Sequence, residues 1–304
     1  MKKTKETICD LRAVQEERRR YLIRQLLAES PQYQNLTLPA GAQEQKNLLR
    51  ALMNVRPPQP VGQEFLKVQD EYLSAERDAL GAVNGDALPP LLSDSRLALW
   101  QGDITTLAVD AIVNAANSAL LGCFCPLHGC VDNLVHSKSG IELRLECQKI
   151  MKAQGHDEPA GQAKITPAFN LPSRYVLHTV GPIIRGGVTQ EDRKLLTSCY
   201  RSCLNLAAEN GLKSVAFCCI STGEFHFPNE EAAEIAVGTV KRFLQVDNQV
   251  QRVIFNVYQD TDLLIYRCLL YTSPAVRRWF HMHLVPAWEY ACMKAGLKLQ
   301  GWPM

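Results

Sequence analysis

The sequence predicts an α/β domain, a mixed and mostly parallel sheet flanked by helices, carried behind a helical N-terminal extension. Two observations support this. From about Leu91, short runs rich in Val, Ile, Phe and Tyr alternate with segments whose apolar residues recur every three or four positions. Such strand–helix alternation implies a parallel sheet covered on both faces. Residues 1–90 carry only the helical period, and Pro89-Pro90 after Leu88 marks a boundary between the two parts.

Taken in order, Val14, Tyr21, Leu22 and Leu26 form one apolar helical stripe. Phe65, Val68, Tyr72 and Leu73 form another, and Pro57-Pro58-Gln59-Pro60 breaks the pattern between them. Strands are expected at 97–100, 111–114, 175–180, 214–220 and 252–258, the last three with the composition of buried strands. Leu195, Leu196, Cys199, Tyr200, Cys203, Leu204 and Ala207 trace a helix that Asn210-Gly211 should stop. Asn229 before Glu230 and Glu231 reads as the N-cap of a helix running to about Leu244. Residues 273–304 are expected to be a terminal tail, helical or partly disordered. The division is therefore 1–90, 91–272 and 273–304.

The 304 residues carry a formal charge of only +2, so nothing points to nucleic acid or an anionic membrane. The basic start Met-Lys-Lys-Thr-Lys-Glu-Thr leads into no apolar core of a signal peptide, and no run of about 18 apolar residues occurs. A cytoplasmic location is expected. With no export signal, most of the eleven cysteines should be reduced. Cys199, Cys203, Cys218 and Cys219 lie in apolar runs and read as buried small hydrophobes.

One cysteine group is different. Gly122-Cys-Phe-Cys-Pro-Leu-His-Gly-Cys130 places three thiols and an imidazole within eight residues, at the end of an expected parallel strand. Thiolate and imidazole are the preferred zinc donors, and the C-terminal ends of such strands are where open α/β sheets bind ligands. Three protein ligands would leave a position open for water or substrate, whereas a fourth closes the site as a structural one. Cys125 is the spare: in extended chain, residues two apart face the same way, so local geometry does not exclude it. A nucleic-acid zinc module fits poorly, for there is no second ligand pair at finger spacing and no basic stripe.

Three ordered segments then suggest a family. Gln101-Gly-Asp-Ile-Thr-Thr-Leu-Ala-Val-Asp-Ala-Ile-Val-Asn-Ala-Ala-Asn117 resembles the opening signature of macrodomains, the ADP-ribose-binding modules. Tyr175-Val-Leu-His-Thr-Val-Gly-Pro182 resembles their central strand, and Ile220-Ser-Thr-Gly-Glu-Phe-His-Phe-Pro228 their phosphate-embracing loop. The cysteine loop is similar to the Gly-Cys-Phe-x-Pro-x-His-x-Cys pattern of the zinc-dependent microbial protein-ADP-ribose hydrolases, which also carry a helical N-terminal extension.

The resemblance implies roles. Zinc would be held by Cys123, His128 and Cys130. Asp103 and Ile104 would bind the adenine end, with Asn256 supporting that ring. Ser221, Thr222, Gly223, Glu224 and Phe225 would embrace the pyrophosphate, an assignment that exposed amides of a Gly-containing turn also favour. Asn117 and Asp132 would be the catalytic pair, Asn117 meeting ribose hydroxyls and Asp132 orienting or deprotonating a water. Each has a plainer reading: Asp103 as a turn or cap residue, the asparagines as turn formers, Asp132 as a helix cap. Asn114 is expected to brace the loop, His136 to support the ligands, and His178 to be a satisfied core histidine. His226 stands where the family usually has glycine, which puts the turn geometry of that loop in question.

The implied activity is release of mono-ADP-ribose from modified proteins. The alternative is a non-catalytic ADP-ribose-binding module with structural zinc. By resemblance again, the partners would be an ADP-ribosylated protein, often a lipoyl-type carrier, and a sirtuin-type ADP-ribosyltransferase.

Overall fold

The computed structural model describes residues 2–271 apart from Gln34, with side chains from residue 11 onward. The expected tail at 273–304 lies outside the described residues.

Three helices come first: α1 (Lys2–Ala28), α2 (Ala42–Val55) and α3 (Gln63–Leu80). Leu22, Ile23, Leu26, Leu49, Leu52, Met53, Phe65 and Tyr72 make a small core between them, as the two stripes predict. The α1 stripe is covered only over its C-terminal half, so Val14 is exposed. One residue of that core, Ile141, comes from the following domain, so the extension shares its interior with it.

The main sheet is built from β2 (Leu97–Gln101), β4 (Ala111–Ala115), β5 (Ala163–Pro167), β6 (Tyr175–Thr179), β7 (Ser214–Phe217) and β8 (Arg252–Val257). Its order is β2-β8-β7-β4-β6-β5, parallel throughout except for antiparallel β5 at the edge. β1 (Val83–Asn84) and β3 (Leu107–Ala108) form a separate short parallel pair. Helices α4 (Val131–Ser139), α5 (Ile141–Gln154), α6 (Gln190–Glu209), α7 (Asn229–Val246) and α8 (Asp260–Tyr271) cover the faces. The strands bury both faces: Ile112, Val113, Leu177, Val215, Ala216 and Ile254 have no exposed surface, which is why the sequence shows continuous apolar runs.

Some local expectations shift. β7 ends at Phe217, and Cys218, Cys219 and Ile220 already belong to the loop that follows. β5 has no strong sequence signal because it is a partly buried edge strand closed by Pro167, where a missing N–H costs no ladder bond. The cap of α7 is Pro228 rather than Asn229, whose side chain instead donates to Asp262 Oδ1 at 2.6 Å. α6 stops as expected, with Gly211 at φ 67.

The topology sets up the site. β4 and β7 are parallel neighbours, so the chains leaving Ala115 and Phe217 emerge side by side at one end of the sheet. The cysteine loop and the Ser-Thr-Gly loop therefore face each other.

Candidate functional site

Asn114 and Asn117 sit at the exit of β4. The register pairs Asn114 with His178 on β6, and both are fully buried. Asn114 Nδ2 donates to Asp132 Oδ1 at 2.8 Å and lies 3.2 Å from His178 Nδ1. His178 Nε2 is 2.9 Å from Thr166 Oγ1, so this is the satisfied core histidine the sequence suggests. Asn117 Nδ2 donates to the Gly122 carbonyl at 3.1 Å and to Asp132 Oδ2 at 3.2 Å, while its Oδ1 accepts from Ala119 N.

Asp132 is thus gripped by two carboxamides in the first turn of α4, and Cys130, not Asp132, is that helix's cap. Burial pushes its carboxyl up to about 6, against the lowering effects of the Asn114 bond and Arg144. His136, one turn on, is buried with Nε2 3.6 Å from Asp132 Oδ1, and burial holds its ring in the neutral form. Gly122 has to be glycine here: at φ 78, a Cβ would fall 2.7 Å from the His136 ring.

In the metal-type loop, the donor atoms of Cys123, His128 and Cys130 all lie within 4.8 Å of one another. Cys123 Sγ and His128 Nδ1 are 3.5 Å apart. A tetrahedral zinc with Zn–S near 2.3 Å and Zn–N near 2.0–2.1 Å would set those atoms about 3.6 Å apart. Burial, with Cys123 alongside, pushes the Cys130 thiol up to about 12, so a bound cation would have to displace its proton. These residues fit zinc. Cys125 stands outside the trio and is exposed. A second buried group, His136, Cys147 and His178, lies behind the loop, but the His178 nitrogens are already committed to Asn114 and Thr166.

Across the cleft, the amides of Thr222, Gly223, Glu224 and Phe225 donate to no carbonyl among the described residues. They form a ready anion cradle. Ser221 and His226 flank it in left-handed conformations, φ 66 and φ 57, so the loop keeps the turn expected of glycine with histidine in place. Gly181 packs against this turn so closely that a Cβ would come 1.9 Å from Ser221 Oγ. Phe225 is half-buried beside the core, and Phe227 is core. Glu224 reaches over, with Oε1 3.4 Å from His128 Nε2.

Beyond β2, at the edge of the sheet and at the same strand end, Asp103 Oδ1 accepts from Thr105 N at 2.9 Å and from Thr105 Oγ1 at 2.6 Å. It caps the short turn Ile104–Thr106 and leaves Oδ2 without a partner among the described residues. The Ile104 side chain is core, so only its backbone faces outward. Asn256 Nδ2 donates to the Gly102 carbonyl at 2.9 Å, bracing the backbone beside Asp103 rather than pointing at a ligand itself.

Sequence reasoning missed Asn133 and Arg144. Asn133 Nδ2 donates to the carbonyls of Cys125 at 2.9 Å and Cys123 at 3.4 Å. Arg144 Nε donates to Leu121 O at 2.7 Å, with its guanidinium 4.3 Å from the centre of the Phe124 ring. Neither carries a motif; both are defined by what they touch.

A Macro domain family model matches residues 113–236. The chain is 53 % identical over 258 residues to a protein-ADP-ribose hydrolase of Treponema medium, covering 84 % of this chain and 99 % of the relative. It is 47 % identical over 248 residues to the protein-ADP-ribose hydrolase of Staphylococcus aureus (strain MSSA476), covering 81 % and 92 %. Among solved structures it is similar to the Trypanosoma brucei macrodomain in complex with ADP-ribose. That match has TM-score 0.57 and 31 % identity, over 72 % of this chain and 94 % of that one. A mutant Oceanobacillus iheyensis macrodomain with ADPR gives TM-score 0.52 at 39 % identity, over 56 % and 89 %. Identity at this level, across relatives the chain spans almost end to end, joins the facing loops to one lineage: the chain belongs to the macrodomain family of protein-ADP-ribose hydrolases.

Proposed function

We propose that this protein is a zinc-assisted hydrolase that removes mono-ADP-ribose from modified proteins. The observation that carries the reading is the opposition of the free amides at 222–225 to the Cys123, His128 and Cys130 trio across the Glu224–His128 contact. A dinucleotide-like ligand whose pyrophosphate rests on those amides has its distal ribose at the trio. Asp103 Oδ2 receives the adenine amine, and Asn256 supports that end through Gly102. Ile104 contributes backbone only.

At the distal ribose, Asn117 offers its carboxamide edge to hydroxyls, and Asp132 holds that carboxamide in place. Asp132 also supplies a buried carboxylate able to take a proton from an attacking water. Bound by the trio, zinc supplies Lewis-acid polarisation of an oxygen on the ribose or the scissile linkage. Within this reading, the modified protein is a lipoyl-type carrier, modified by a sirtuin-type transferase. Those two partners rest on the family resemblance alone, and a cytoplasmic location on the sequence pattern. No described helix is long and apolar enough to cross a membrane.

The test is release of ADP-ribose from aspartate-, glutamate- and serine-linked proteins, before and after chelation, with ADP-ribose affinity measured in parallel. Turnover lost on chelation and recovered with zinc supports the reading. Turnover that survives complete metal removal defeats the zinc step. Tight ADP-ribose binding with no turnover on any linkage leaves a reader with structural zinc.

A further inference from the structure

We propose that Arg50 and Asn54, on helix α2 of the extension, are positioning residues that hold the metal-type loop in its ligand geometry. The loop needs such support. Between Asn117 and Cys130 it has no regular structure, and Leu127, next to the ligand His128, sits at φ 57. A residue with a side chain is strained in that region and persists there only where its surroundings impose it.

The surroundings come from α2. Asn54 is buried, its Oδ1 accepting from Leu127 N at 3.1 Å and its Nδ2 donating to Ser137 Oγ at 2.8 Å. One turn earlier, Arg50 Nη2 donates to the His128 carbonyl at 2.8 Å and to Asn133 Oδ1 at 2.7 Å. Four residues apart on a helix, the two side chains share one face. Arg50 therefore fixes Asn133, which in turn holds the carbonyls of Cys123 and Cys125. The C-terminal end of α2, beside Asn54, is tied to the same loop a second time. Arg144 donates to the carbonyls of Met53 and Arg56 at 3.0 and 2.5 Å, while its Nε holds Leu121 O. Every ligand residue of the trio is thus reached, directly or through Asn133, from a helix more than 65 residues earlier in the chain.

The catalytic consequence rests on the zinc reading above; the structural one does not. Arg50→Met keeps the aliphatic stem and removes the donors, Arg50→Lys restores one, and Asn54→Asp keeps the acceptor for Leu127 N. For Arg50→Met we expect faster hydrogen exchange confined to residues 119–131, and zinc affinity in chelator competition weaker by roughly 10- to 100-fold. kcat should fall while ADP-ribose affinity and melting temperature hold. Arg50→Lys should recover part of the loss, and Asn54→Asp should be milder than Asn54→Ala. Unchanged exchange at 119–131 overturns the proposal. So does a general loss of protection and of ADP-ribose binding that Arg50→Lys does not relieve. If the unmodified protein takes up no zinc, the zinc reading fails, and the exchange comparison still decides the positioning role.

Discussion

Glu224 Oε1 lies 3.4 Å from His128 Nε2, while Nδ1 of the same ring faces Cys123 Sγ at 3.5 Å. One imidazole thus links the phosphate-type loop to the metal-type loop, in the arrangement by which a carboxylate commonly orients a metal-binding histidine. Glu224→Ala should weaken zinc binding by roughly 10-fold. Because Glu224 is exposed, the melting temperature should not move. Zinc competition and thermal melting check both; unchanged zinc affinity would remove Glu224 from the support of the site.

Cys125 provides a cleaner separation. It is exposed and outside the trio, whereas Cys130 belongs to the trio and accepts from Asn133 N at the start of α4. Cys125→Ser is expected to retain one zinc per chain and full turnover. Cys130→Ala is expected to lose both while ADP-ribose still binds. A Cys125→Ser protein without metal would mean that the spare thiol closes the site.

Asp132 accepts from two amide donors, one on each oxygen. Asparagine has a single acceptor oxygen, so Asp132→Asn sets N–H against N–H at Asn114 or Asn117. Leaving one buried donor unpaired costs about 1–3 kcal/mol. Loss of a general base adds a fall in kcat of roughly 10²–10⁴-fold. A fall in stability with intact kcat would assign Asp132 a bracing role only.

The docking of the extension should depend on pH. Glu142, on α5, is held up at about 7 by burial and by Asp70 on α3. An acid raised on folding contributes its full stability below its unfolded pKa, near 4.3, and loses it as pH rises through about 7. Glu142→Gln should therefore raise the melting temperature at pH 8 and change little at pH 5. Equal shifts at both pH values would show that the pair does not couple to folding.

His226 occupies the left-handed region at φ 57. His226→Gly relieves that strain, partly offset by the greater chain entropy of glycine, and should stabilise the protein by about 0.5–1 kcal/mol. ADP-ribose affinity should hold, since the cradle is made of the preceding amides. Calorimetry with a ligand titration checks it, and a lower melting temperature would mean that the imidazole makes a compensating contact.

Much of the frame was legible. Strands β2, β4, β6, β7 and β8 form where their apolar runs lie, because burial on both faces leaves a continuous mark in sequence. Edge strand β5 left none, being half-buried and ended by Pro167. The metal-type residues were legible for a different reason: the ligands are neighbours in one loop, so their spacing carries the signal.

Contacts between distant segments left no such mark. Sequence alone determined the five apolar strands, the helices marked by stripes and caps, the grouping of thiols and imidazole at 123–130, and the glycine-containing turn at 221–226. Only the tertiary structure decided that Cys125 faces outward, that Glu224 meets His128, and that Arg50 and Asn54 reach across from α2. The physical reason is that local chemistry depends on residue type and spacing, whereas these contacts depend on the parallel pairing of β4 with β7 and the seating of α2 on α4. Both are fixed by the packing of the whole core rather than by any short run of residues.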